Sequence, residues 1–136
     1  MIQRQSHTTV YVLDQDKAKA FYVDTLGFEC REDENMGPFR WLTVGPKGQK
    51  ELEMVLMPIM ESPMMDGATA ATLRGLVQKG ILGCGVLETD DCKRTYDELS
   101  KKGVRFMSPP AERPYGVEAL MQDDSGNWWS VVQRPR

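Results

Sequence analysis

One histidine, His7, is all the imidazole this 136-residue chain contains. A site that needs two imidazoles cannot be built from one chain, and two copies could supply a pair only if both His7 residues met at one axis. Cysteine is nearly as scarce: Cys30, Cys84 and Cys92 are odd in number, widely separated and without a CxxC. That excludes a disulfide framework and reads as reduced thiols in a cytoplasmic protein. No apolar run approaches the roughly 20 residues that span a bilayer. The N-terminal MIQRQSHTT lacks the apolar core of a signal peptide. A basic excess is missing too, with 17 basic against 20 acidic residues and a net charge of −3. Nucleic acid and membrane are therefore poor partners, and a small molecule is the better expectation.

Hydrophobic residues make up 40% of the chain, enough for one ordinary globular domain with a core. SHTTVYVL (6–13) reads as a strand. Asp14 or Asp16 then caps a helix running to about Leu26, with Ala18, Phe21, Tyr22 and Thr25 on one face and Gly27 as its stop. Short strands follow at 28–31, 39–45 and 51–57, separated by Met36-Gly37-Pro38 and Gly45-Pro46-Lys47-Gly48. After a linker, Asp66 caps a helix that ends at Gly80. The first pattern then returns: a strand at 82–89, a cap at Asp90 or Asp91, and a helix with Cys92, Tyr96 and Leu99 on one face that stops at Gly103. Strands at 104–107, 117–122 and 127–132 complete it, with Pro109-Pro110 and Arg113-Pro114-Tyr115-Gly116 between them. Asp14 and Asp91 are 77 positions apart, and Gly27 and Gly103 are 76 apart.

That spacing predicts internal duplication of a βαβββ unit. The fold class expected is α+β: two tandem βαβββ modules whose curved mixed sheets face a shared cleft. Module one covers 6–58, a linker and helix 59–80, and module two 81–133. In DDSGNWWSVVQ (123–133), Trp128, Ser130 and Val132 share one strand face, while Trp129 and Val131 share the other. Trp129 is most simply core beneath a helix. Five of nine methionines fall between Met54 and Met65. They either plug an irregular surface or form an adaptable apolar wall for a ligand.

The chain resembles the vicinal oxygen chelate superfamily of glyoxalase I, extradiol dioxygenases and bleomycin- and other antibiotic-binding resistance proteins. The resemblance covers nearly the whole chain. It rests on HTTVYVLDQDKAKAFYVDTLGF, LEMVLMP, LETDDCKRTYDELSKKGVRF and RPYGVEALMQDDSGNWWSVV. Metalloenzymes of the family take ligands from the first and last strands of each half. By that resemblance the four positions are His7, Glu53, Cys84 and Ser130, of which Cys84 and Ser130 depart from the usual histidine and glutamate. Extradiol chemistry, which needs two histidines and a carboxylate, is excluded by the single His7. Glyoxalase-type isomerisation needs a metal and a mobile carboxylate base, a role Ser130 cannot fill.

Three readings remain. The favoured one is a small-molecule-binding protein without a complete metal site or other cofactor. It sequesters an aromatic or apolar ligand on a surface drawn from His7, Thr9, Tyr11, Trp41, Glu53, Met57, Cys84, Tyr115, Trp128 and Ser130. The second is a lyase or isomerase using a divalent metal such as zinc or nickel on His7, Glu53 and possibly Cys84. The third is a metal-free enzyme with Glu53 or His7 as base. For His7 and Glu53 there is also a plainer role, a polar pair holding one another, since a buried carboxylate needs a partner. The resemblance further implies a homodimer.

Overall fold

The computed structural model describes residues 1–135. The order of elements is β1 (His7–Val12), α1 (Gln15–Lys19), β2 (Glu29–Met36), β3 (Phe39–Gly45), β4 (Glu53–Pro58), α2 (Gly67–Gln78), β5 (Gly83–Glu88), α3 (Cys92–Lys101), β6 (Arg105–Arg113), β7 (Gly116–Gln122) and β8 (Trp128–Gln133). The architecture is α+β, with two four-stranded mixed sheets ordered β1-β4-β3-β2 and β5-β8-β7-β6. In both, the first strand runs parallel to the last and the remaining neighbours are antiparallel. The duplication expected from the aspartate and glycine spacing is thus real. No helix is long and apolar enough to cross a membrane among the described residues.

The chain divides into two compact units, Met1–Gly75 and the part from Leu76 onward. In the first, the Asp14 carboxylate accepts from the Lys17 amide and so caps α1. The helix continues through a π-helical stretch, Ala20–Thr25, and ends at Gly27 with φ of 80°. Its inner face sets Ala18 and Tyr22, both fully buried, against Val10, Val12, Leu42, Val44 and Leu56 of the sheet. The strand alternation then places His7, Thr9 and Tyr11 on the opposite face. Arg31 stitches the β3–β4 loop, its guanidinium donating to the carbonyls of Pro46 and Gln49 at 2.9 Å each.

In the second unit Asp91 caps α3 in the same way, receiving the Arg94 amide. Cys92 and Trp129 are buried, and Tyr96 packs edge-on to Phe106 at 4.7 Å. The β7–β8 turn is fixed by Asp123, whose Oδ1 accepts from the amides of Ser125, Gly126 and Asn127 at 2.9 to 3.0 Å. Gly126 has φ of 115°, and a Cβ there would sit 2.5 Å from the Val77 carbonyl oxygen.

Two strands outrun their expected lengths. β2 continues to Met36 and β6 to Arg113, through Pro109-Pro110. Both are edge strands. An edge tolerates proline and carries charge, which is why neither the acidic run after Arg31 nor the two prolines ends the pairing.

Candidate functional site

On the first sheet, His7 and Glu53 are register partners in the parallel β1–β4 pair, so their side chains emerge together. His7 Nε2 lies 3.6 Å from Glu53 Oε2. The other ring nitrogen shares a 2.7 Å hydrogen bond with Ser6 Oγ. The buried Thr43 hydroxyl donates to Glu53 Oε1 at 2.7 Å. Trp41 completes the group: its ring stands 5.8 Å from the imidazole and its N–H donates to Glu32 Oε2 at 2.6 Å. His7, Glu32 and Glu53 thereby bring one donor atom each within 4.8 Å of one another. One imidazole and two carboxylates form a donor set that a divalent ion accepts.

Farther along the same face, Tyr11 and Met57 are again register partners. They line a cavity of about 390 Å³ with Phe39, Met60, Met64 and Met65. Four of the five methionines between Met54 and Met65 thus border this cavity. Thr9 stands exposed between the two groups.

The second unit holds a larger cavity, about 700 Å³, on its own sheet face. Trp128, Ser130 and Val132 from β8 line it together with Val86, Glu88, Tyr115, Glu118 and Arg134. The Trp128 indole lies over β5, where a Cβ on Gly83 would come within 2.5 Å of the ring. Only glycine leaves room for it. Ser130 donates to Glu118 Oε2, and the Tyr115 hydroxyl donates to Glu118 Oε1 at 2.6 Å. These two hydrogen bonds, Ser130 first, hold the Glu118 carboxyl below its ordinary range against the opposing effect of burial, and Arg113 assists. The same contact raises the Tyr115 hydroxyl. Glu88 pairs with Arg134 at 3.5 Å.

Cys84 does not line this cavity. The β5–β8 register slips between Gly83 and Val86, and Gly85 has φ of 130°. This bulge turns Val86 and Glu88 to the cavity with Gly83, so Glu88 and Cys84 do not share a face. Burial, with the Asp123 carboxylate adding to it, pushes the Cys84 thiol up to about 12. The free thiol is therefore protonated at neutral pH. Beside the expected His7 and Glu53, the first sheet thus brings in Glu32 as a third donor.

Glu32 and Glu118 are the residues that sequence reasoning missed. Glu32 lies one residue beyond the strand expected at 28–31. Glu118 carried the same signal as Glu53, a lone carboxylate in an apolar strand. It is on the face away from the fully buried Ala119 and Met121. Gly85 had a signal as well, since a glycine inside a strand marks a bulge.

Residues 4–131 match the sequence profile of the glyoxalase/bleomycin resistance protein/dioxygenase superfamily. A crystal structure of UcmS2 is 50% identical, with a TM-score of 0.91 over 98% of this chain and 99% of that one. TnmS3, an antibiotic binding protein from Streptomyces sp. CB03234, is 32% identical, with a TM-score of 0.77 over 98% of each chain. The uncharacterized protein YurT of Bacillus subtilis (strain 168) is 34% identical over 128 residues, 93% of this chain and 96% of its own.

Proposed function

Because the chain belongs to the glyoxalase/bleomycin resistance protein/dioxygenase superfamily, whose one scaffold serves enzymes and binders alike, we propose that it is a binder. It sequesters a planar aromatic or apolar small molecule, of the antibiotic class that TnmS3 takes, without changing it. The observation that carries this reading is the 700 Å³ cavity on β5, β7 and β8, walled by Trp128, Tyr115, Val86 and Val132. Flat aromatic walls with a few polar groups suit such a ligand. The polar groups are already engaged: Ser130, the hydroxyl at the usual glutamate position, donates to Glu118. A carboxylate that accepts from both Ser130 and Tyr115 holds little proton affinity to offer as a general base. The chain acts in the cytoplasm as a homodimer in this reading. Val86 and Tyr115 are 61% and 51% exposed, and a ligand or a second chain would cover them.

The test is titration with acridone, a neutral tricyclic aromatic, followed by tryptophan fluorescence, then extraction and mass analysis of the bound compound. Saturable binding near one per chain, unaffected by a chelator, with the compound recovered unchanged, is expected. Conversion of the bound compound, or binding that requires metal, overturns the reading.

His7, Glu32 and Glu53 favour a second reading, a metal-dependent lyase or isomerase of the glyoxalase type. These three residues would hold a divalent metal such as zinc or nickel. The metal would supply a Lewis acid for a carbonyl oxygen. Thr43 and Trp41 would orient the two carboxylates through the hydrogen bonds they already make.

A further inference from the structure

Four charged side chains stand at or beside the cavity of the second unit. Glu88 and Arg134 line it as an exposed pair at 3.5 Å, which water screens. Glu118 lines it as well, and its nearest cation is Arg113, whose Nε is 3.9 Å from Glu118 Oε1. Arg113 does not line the cavity and is half exposed, so water screens it. Glu118, by contrast, is only 16% exposed. Ser130 and Tyr115 give it one hydrogen bond per oxygen, and both are neutral donors. They hold the carboxylate in place without cancelling its charge, which, among the described residues, only Arg113 offsets. A carboxylate offers about four lone-pair positions, so two stay available to a ligand. The cavity thus combines an apolar floor, an indole face and one largely buried carboxylate whose charge the half-exposed Arg113 offsets only in part. Both the charge and the negative face of an aromatic ring attract a cation.

We propose that this cavity selects ligands that carry a positive charge on a flat aromatic skeleton, with Trp128 receiving the ring and Glu118 the charge as the specificity-determining residue. The inference rests on the cavity being the ligand site proposed above, and it adds the charge of the ligand. The register puts the two on one sheet face: Glu118 pairs with Val132 and Gln122 with Trp128. The Glu118 carboxyl leans to Ser130, which lies between Val132 and Trp128 on that face.

Three probes with one skeleton test it: proflavine, a cation with terminal amino groups; acridone, neutral; and acridine-9-carboxylate, an anion. Dissociation constants are measured for the full chain at low and at high salt, and for Glu118→Gln and Arg134→Gln. Glu118→Gln removes the charge, keeps one of the two acceptor oxygens and replaces the other with an NH2 donor. Proflavine is expected to bind tenfold or more tightly than acridone, and acridine-9-carboxylate most weakly. The preference shrinks with added salt, falls to near unity in Glu118→Gln because proflavine loses far more affinity than acridone, and grows in Arg134→Gln. Equal affinity of the unmodified chain for proflavine and acridone overturns the inference and leaves the ligand site standing. So does an equal loss for both probes in a folded Glu118→Gln. Binding of none of the three overturns the inference and the ligand site together. If Glu118→Gln does not fold, the order of affinities in the unmodified chain and in Arg134→Gln decides.

Discussion

Ser130 stands where the resemblance to the family's metalloenzymes implies a glutamate, and Glu118 of the neighbouring strand accepts its hydroxyl hydrogen. Ser130 and Glu118 are best understood as one group with Tyr115. Each residue makes its own prediction. Trp128→Ala removes the flat wall and lowers acridone affinity about tenfold, a stacking loss of about 1 kcal/mol plus lost burial, as a titration would show. Cys84, with its thiol pushed up to about 12, reacts with iodoacetamide at pH 8 on the order of a thousandfold more slowly than a free cysteine. Mass-spectrometric counting of labelled sites checks this, and fast labelling at Cys84 contradicts it. If the first sheet holds zinc, calorimetry detects it, and Glu32→Gln weakens it together with His7→Ala. The sequence alone exposed His7, Glu53 and Trp128, because their types stand out in their strands. It hid Glu32 and Glu118, because which carboxylate meets which partner depends on antiparallel register, and register is fixed by bulges that composition does not display.

At the scale of elements, charge and turn chemistry hold the sheets in place. Asp33 on β2 receives Arg40 at 2.8 and 2.9 Å and Lys19 of α1 at 2.8 Å, which ties the helix to the hairpin. Those two cations, Arg40 first, hold its carboxyl far below the ordinary range. A depressed folded value means that the stabilisation is complete above the unfolded value, about 4, and is lost as pH falls through the folded one. Asp33→Asn should therefore cost about 1–2 kcal/mol at neutral pH, with the gap from the parent chain closing below pH about 4 in denaturant melts. The β7–β8 turn makes a sharper case. Gly126→Ala meets the Val77 carbonyl and an unfavourable φ, and should cost more than about 2 kcal/mol in the same melts. Here the sequence was legible. Aspartate caps and stop glycines lay where propensity places them, and only the edge strands β2 and β6 were read short, because proline and acidic runs are tolerated at an edge.

For the whole molecule, the repeat was readable because each half spells out its own cap, stop and strand series. Function was harder to read, since this superfamily places enzymes and binders on the same backbone. The homodimer expectation is checked by light scattering on an eluted peak, which should report twice the 15.4 kDa of the chain. The central claim is that an aromatic ligand rests on Trp128 in the second unit. Nitrogen-labelled protein titrated with acridone tests it most directly. The Trp128 indole signal and the amides of Val86, Ser130 and Val132 should move together and saturate. If acridone binds while these signals stay still and the shifts gather around His7, Trp41 and Glu53, the account is contradicted.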